Sequence, residues 1–561
     1  MKVMESLQQS LQQYWHTLSH LRLEQVAGQV WTRLKPLRRW YFQQQRKEHE
    51  AFPGCNWSSS ENWLAPPQGR NTADELLQGT FTFLNDTRSM GWPPRWPAAD
   101  TPKLWQYNLH YFEWLWHLPP EEAVLVVEDW IAFSQSQPEH TGWEPYPICL
   151  RLLNWSGYFF VKHHDFCEKH PEHREMLWQS IAQQAHWLQH HLEYHLMGNH
   201  LLENAATLAL LGSGFKGAQA QRWRDVGFHL LQRELHEQIL ADGLHFELSP
   251  MYHLRVLYLV QLLVDFGDVG ISRLARVYLP SMQEALAHLT HPDEDIALFN
   301  DAAFGIYHEP HQLLPTSLND EPGYGSWSLP NAGYYGARTE DGSYVVCDVG
   351  LPGPDYIPGH AHGDLFSFEL SLRGHRIIVD SGVYDYVNSP FREYCRSTRG
   401  HNTVEIDHQD QSEFWGAFRV AQRGHPHDVL WTQDDDGFAL QAWHDGYLRL
   451  PNKPTRHERR FLWSHEGKLE VIDTITSSQS VSVISRLHLH PDCTIRSQSP
   501  KEAILDTPAG TVTIRFDGPG ELLPQGSEES WYCPQFGRAE PNEVLRYRSI
   551  GTHLSTRFVI E

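Results

Sequence analysis

The apolar residues of this 561-residue chain change their period near residue 320, and few architectures accommodate both halves. From about 100 to 310 they recur every three to four positions, and beyond about 330 they alternate every second position, the signatures of one-sided helices and one-sided strands. The first pattern predicts helices over Leu104–Trp116, Ala123–Ser136, Ile148–His163, Met176–His195, Leu201–Leu211, Ala218–Gln238, Met251–Phe266 and Ile271–Leu289. Antiparallel helices on short loops pack as neighbours, and such a series either stacks as a solenoid or closes as a toroid. The second pattern predicts strands over Ser343–Val349, Leu365–Leu372, Arg376–Val379, Thr403–Ile406, Phe438–Trp443, Lys468–Ile475, Val481–Leu489, Thr511–Phe516 and Thr552–Ile560. Turn pairs such as Asp341-Gly342 and Asp436-Gly437 separate many of them, and strands in such number without helices between imply stacked antiparallel sheets. The fold class is multidomain α+β: a head and linker over 1–100, a helical domain over 101–320, a β-sandwich domain over 321–561.

The head is helical in pattern through Leu7, Leu11, Trp15, Leu18, Val26, Val30 and Leu34. No acid stands between Gln25 and Lys47, whereas Arg33, Lys35, Arg38, Arg39, Arg46 and Lys47 do. Residues 33–47 are therefore either a solvated helix end or a contact for an anionic membrane face or a partner.

A formal charge of −24 argues against general nucleic-acid binding, which needs a basic surface. It also favours sparsely charged over highly sulfated acidic ligands. The 22 tryptophans suit stacking on sugar rings, although most of them serve core packing. Seven cysteines without C-x-x-C spacing make a disulfide framework unexpected and fit a reducing compartment. Met1–His20 lacks an apolar signal core and no run of about eighteen apolar residues exists, so a cytoplasmic protein is expected.

Chemistry concentrates in a few stretches. Gly359-His360-Ala361-His362-Gly363-Asp364 leads into the alternating run Leu365–Leu372, and both histidines carry its apolar parity. A buried imidazole needs a hydrogen-bond partner or a metal. With Asp380 in Val379-Asp380-Ser381-Gly382 and His401 in His401-Asn402-Thr403, these residues form an N/O metal set. A tight hairpin about Gly374 would set Asp380 opposite Phe368, roughly 20 Å from His362 at about 3.4 Å per residue. The set closes only if the stretch folds back, with Gly363 the expected hinge. Upstream, Asn199 and His200 open a helix after Gly198, where free N–H groups receive a carboxylate or Asn199 merely caps. Glu203 shares the face of His200. Tyr252 opens another helix behind Pro250, with His253 and Arg255 as cations that could depress its phenol. Trp143, Tyr146 and Arg151 place two aromatics beside a guanidinium suited to a carboxylate.

Several of these segments, in the same order, resemble the heparinase II/III-like polysaccharide lyases: Asn199-His200-Leu201-Leu202-Glu203-Asn204, Ser249-Pro250-Met251-Tyr252-His253, His360-Ala361-His362-Gly363-Asp364, Val379-Asp380-Ser381-Gly382, and Arg396-Ser397-Thr398 with His401-Asn402-Thr403. The resemblance implies an incomplete (α/α) toroid followed by a β-sandwich, and cleavage of a uronic-acid glycosidic bond by β-elimination. It implies Asn199 and His200 on the carboxylate, Tyr252 as donor to the leaving oxygen and as a second base, and His360 as base. It further implies a structural zinc on His362, Asp380 and His401. Arg151, Glu203, Trp143 and Tyr146 are lesser candidates for contact with an acidic oligo- or polysaccharide. Two other classes compete: a non-catalytic glycan-binding or polysaccharide-assembly protein using the same cleft, and a zinc hydrolase in which the histidines hold a catalytic metal.

Overall fold

A computed structural model of the chain describes residues 12–34, 51–58, 63–67, 69–137, 140–320 and 323–561. The basic stretch from 35 to 47 lies outside them. Among the described residues no strand falls between Lys103 and Asp320 and no helix is long and apolar enough to cross a membrane.

The long helices Pro120–Ser136, Pro171–Gln189, Gly198–Gly214, Gly217–Gln238 and Pro250–Phe266 build the helical layer. Gly198–Gly214 and Pro250–Phe266 are its inner helices, buried along nearly their whole length, as a helix apolar on all sides must be. Two predicted helices are broken. Leu104–Trp116 divides at Phe112, whose φ of 60° ends Lys103–Tyr111 and starts a 3-10 turn over Glu113–His117. Ile271–Leu289 divides before Pro280 into Val269–Arg276 and Leu279–His288, because a proline tolerates only the first turn of a helix. The helix in Met176–His195 stops at Gln189.

Beyond it stand two large antiparallel sheets and two short hairpins. The smaller runs in chain order through Gly325–Leu329, Tyr334–Arg338, Tyr344–Asp348, Phe368–Leu372 and His375–Ile378. The larger orders Pro426–Asp434, Gly437–His444, Thr455–Ser464, Lys468–His488, Val544–Ile560, Gly510–Asp517, Glu502–Thr507 and Thr494–Ser499. Val345, Cys347, Phe368 and Leu370 of the small sheet meet Phe438, Leu440, Phe461 and Phe558 of the large one in one apolar core. The other face of the small sheet, with Tyr334, Tyr344 and Val346, packs on Leu244, Leu248, Leu289 and Phe299 of the helical layer. The small sheet is thus a middle layer covered on both faces, and this sandwiching positions the cleft.

Lys468–Ile475 and Val481–Leu489 prove to be one strand with a register shift between Thr476 and Val481. Thr455–Ser464 escapes the alternation rule because its buried positions include the polar Thr455, His457 and Arg459, and Thr494–Ser499 because Ile495 is its only apolar residue.

Candidate active site

A cleft of about 1140 Å³ opens between the helical layer and the sandwich. Asn199, His200, Tyr252, Tyr146 and Tyr307 line it from the helical side, and His360, Tyr384, Asp385, Tyr386 and Phe418 from the other. Concave and lined by a mixture of aromatic and polar side chains, it has the character of a site for a sizeable ligand.

Asn199 and His200 sit at the first turn of Gly198–Gly214. Gly198 has a φ of +53°, and a Cβ there would fall 2.3 Å from Glu247 Oε1, so glycine enters the helix here without the strain and side-chain displacement that another residue would bring. The Asn199 backbone N–H donates to Glu247 Oε1 at 2.9 Å. His200 Nδ1 lies 3.1 Å from Glu193 Oε1, and its ring rests 4.5 Å from that of Tyr146. Burial alone would lower the His200 imidazole, but the Glu193 carboxylate raises it above its ordinary value.

Tyr252 occupies the first turn of Pro250–Phe266, where Ser249 Oγ accepts its N–H at 3.3 Å and itself donates to the Asp301 carbonyl at 2.6 Å. Its hydroxyl is 3.0 Å from that of Tyr386 and its ring 4.1 Å from the His360 ring. Burial, followed by the Tyr386 and Tyr307 phenols, pushes the Tyr252 phenol well above its ordinary value, so it stands protonated. The expected depression by His253 and Arg255 is overturned. Burial pushes the His253 imidazole down to about 4, its Nε2 lying 2.9 Å from the Met282 carbonyl, and Arg255 is neutralised by Glu203.

His360 is oriented by a carboxylate that periodicity does not reveal. Asp301 Oδ2 lies 2.7 Å from His360 Nδ1, Asp301 Oδ1 lies 2.9 Å from His362 Nε2, and Arg392 pairs with both oxygens. Burial works against the Asp301 carboxylate, and Arg392 with the two imidazoles overrides it, holding it well below the usual carboxylate range. With Nδ1 on Asp301, the other ring nitrogen of His360, Nε2, lies 3.4 Å from Glu247 Oε2. The signal for Asp301 was present: it stands two residues after the apolar run Ile296-Ala297-Leu298-Phe299, and a charge so placed needs partners. Glu113 was also missed; burial, partly offset by Arg255, pushes its carboxyl up to about 7 on the cleft wall.

The His360–Ser367 stretch is not the extension of a strand. The strand begins only at Phe368, and Phe366 turns the backbone with a φ of 66°. Gly363 is not the hinge; it is a point of close approach, where a Cβ would meet Thr398 Oγ1 at 2.6 Å. This fold-back removes the 20 Å separation expected from a straight hairpin. The rings of His362 and His401 are 5.4 Å apart, and His401 Nδ1 is 2.8 Å from Asp380 Oδ2. His362 Nδ1 and His401 Nε2 are buried without hydrogen-bond partners, an arrangement that suits a ligand for nitrogen. Among the described residues only His170, Glu172 and His173 hold three ligand atoms within 4.8 Å of one another.

Three lesser candidates do not reach the cleft. Pro145–Trp155 is buried on every face, and Arg151 is wholly enclosed: it donates to Gln184 Oε1, the His110 carbonyl and the Gly142 carbonyl and lies 4.0 Å over Trp130. Glu203 is enclosed as well, paired through both oxygens with Arg255. Trp143 gives its N–H to Ser134 Oγ at 2.6 Å and packs by Trp130 and Trp187. Tyr146, one turn before Arg151, does line the cleft.

Two family descriptions match the chain: "Heparinase II/III N-terminus" over residues 95–308 and "Heparinase II/III-like, C-terminal" over 321–558. A heparin-sulfate lyase of Pedobacter heparinus is 26% identical over 398 residues, 61% of this chain and 58% of that protein's length. One from Bacteroides stercoris is 24% identical over 482 residues, 73% of this chain and 68% of that protein. The chain thus spans less than two thirds of the Pedobacter relative. Crystallised heparan sulfate lyase HepC of Pedobacter heparinus superimposes with a TM-score of 0.58 at 20% identity, covering 87% of this chain and 82% of its own. A heparinase III gene product superimposes with a TM-score of 0.65 at 18% identity, covering 94% and 88%. At such identity the likeness establishes the fold, a helical toroid joined to a β-sandwich.

Proposed function

Because the chain belongs to the heparinase II/III-like family, we propose that it is a polysaccharide lyase that cleaves a uronate-containing glycan of the glycosaminoglycan class by β-elimination. The observation that carries this reading is the convergence of Asn199, His200, Tyr252 and His360 on one cleft, with the Tyr252 ring 4.1 Å from that of His360. Elimination needs the carboxylate neutralised so that the C5 proton becomes acidic, a base for that proton, and an acid for the C4 oxygen. Asn199 and protonated His200 hold the carboxylate. His360, oriented by Asp301, takes the C5 proton, and Tyr252, protonated in the resting site, donates to the departing oxygen. The test is ultraviolet absorbance from an unsaturated uronate; its absence with every uronate glycan tried would leave a glycan-binding protein.

The lining supports a sparsely sulfated substrate. Besides its histidines the cleft wall offers Arg70 and Lys103 as cations against Asp86, Glu113, Glu309 and Asp385, and Lys103 is 3.0 Å from Glu144. The seven cysteines are free thiols, which supports a cytoplasmic setting.

His200 gives a pH dependence whose sign follows from its partner. It is charged below its raised pKa and neutral above, so substrate affinity falls as pH rises through that value. In Glu193→Gln the support is lost, and the rise in KM is expected at lower pH than in the unaltered protein. A KM profile that does not move removes His200⁺ from carboxylate recognition.

Zinc is the metal implied by the resemblance, and the donor types fit it: His362, Asp380 and His401 would hold it, and it would supply a rigid cross-link beneath the sandwich wall. Metal analysis is expected to find about one equivalent in the purified protein and to lose it in His362→Ala. Full retention in that variant removes His362 from the ligand set.

A further inference from the structure

Glu247 stands where the elements that carry Asn199, Tyr252 and His360 meet, two residues before the Ser249 cap of helix Pro250–Phe266. Its side chain is 3% exposed, and its two oxygens are placed differently. Oε1 accepts the Asn199 N–H at 2.9 Å, at the start of helix Gly198–Gly214. Oε2 is buried without a hydrogen-bond partner and faces His360 Nε2 across 3.4 Å, longer than an ordinary hydrogen bond. The backbone beside it is strained and pinned. Leu248 has a φ of 59°, a region a leucine seldom adopts, and its carbonyl accepts from the Tyr334 hydroxyl at 2.7 Å and from Asn300 Nδ2 at 3.2 Å. An unsatisfied buried oxygen is costly, so one fixed against a cleft imidazole calls for a use.

Proton transfer supplies the missing partner. A neutral imidazole carries one N–H and an imidazolium two, so whichever tautomer His360 starts from, taking the C5 proton leaves an N–H on both ring nitrogens. Nδ1 then has Asp301 at 2.7 Å, and Nε2 has Glu247 Oε2. We propose that Glu247 is a positioning residue whose Oε2 accepts from the His360 imidazolium as the C5 proton arrives, while its Oε1 keeps Asn199 in register with that ring; this rests on the assignment of the chain as a lyase. The C5–H electron pair becomes the C4–C5 double bond, the C4–O bond breaks, and the oxygen departs with the Tyr252 proton. His360 afterwards returns its proton to the Tyr252 phenolate, whose ring lies 4.1 Å away. The contact with Oε2 is loose in the resting site and tightens as charge develops, and an interaction of that kind lowers the barrier without tightening substrate binding.

The experiment is steady-state kinetics of Glu247→Gln on a uronate glycan that the unaltered protein cleaves. Glutamine keeps an oxygen for the Asn199 N–H and sets an amide NH2, which cannot accept, against His360 Nε2. The variant is expected to keep its thermal melt and its KM and to lose about 10- to 10²-fold in kcat, the range for one hydrogen bond to a charged group. Glu247→Ala, which gives up both contacts, is expected to raise KM as well. Rates are taken per binding-competent molecule, from the stoichiometry of oligosaccharide binding, so partial unfolding does not mimic the loss. An unchanged kcat in Glu247→Gln overturns the proposal and leaves the lyase assignment standing, as does a raised KM with kcat kept, which makes Glu247 a prop for Asn199 alone. No unsaturated product from the unaltered protein with any uronate glycan ends the lyase assignment and this proposal with it.

Discussion

Tyr252→Phe is expected to fold normally, to bind oligosaccharide, and to form unsaturated uronate about 10²- to 10⁴-fold more slowly than the unaltered protein, the range for loss of a general acid. The substitution removes one oxygen whose partner is the Tyr386 hydroxyl at 3.0 Å, while the ring keeps its contact with His360. Departure of an alkoxide from C4 is prohibitive without a proton donor, and burial keeps this phenol protonated. Asn199 cannot titrate, so Asn199→Ala is expected to cost less, about 10²- to 10³-fold, as the loss of one charge-stabilising donor. Kinetics of product absorbance alongside oligosaccharide affinity separate the two effects. Near-native turnover of Tyr252→Phe would end the assignment of Tyr252 as acid.

Glu203→Ala is expected to destabilise the protein by about 3–5 kcal/mol, the cost of stranding a buried charge. Arg255 lies 5% exposed in its side chain, against Tyr258 and Tyr307, and Glu203, 1% exposed, meets it through both oxygens. Replacing both partners, as in Glu203→Leu with Arg255→Met, is expected to recover most of the loss, because apolar groups of similar volume remove the desolvation penalty with the charge. Thermal and denaturant melts of the two variants check this. A Glu203→Ala variant that melts like the unaltered protein but shows a raised KM would return Glu203 to the substrate, as its helical spacing from His200 suggested.

Those two residues mark how far one-dimensional reasoning reaches. Spacing along a helix correctly puts His200 and Glu203 on one helix, yet an α-helix in an inner layer has no free side. His200, at the first turn, meets the cleft, while Glu203 one turn later is enclosed with Arg255. The same holds for Tyr146 and Arg151 on Pro145–Trp155. Local periodicity says which residues are neighbours on an element and nothing about which end of that element reaches a cavity.

What the sequence determined by itself is the order of layers and the ordered motifs. A change of apolar period from 3.6 to 2 is a property of local backbone geometry, so the helices as far as Leu289 and the strands from Ser343 are legible without tertiary information, as is the helix that opens after Gly198, whereas the short elements between Pro310 and Arg338 are not. What only the tertiary structure decided are the contacts made across those layers. The Asp301 carboxylate reaches His360, His362 and Arg392 from as far as 91 positions away, and His362 comes beside His401 because Phe366 turns the chain, against the alternation that made the stretch look like a strand. A buried carboxylate chooses partners by distance and desolvation, and neither is written into the periodicity of the residues that flank it.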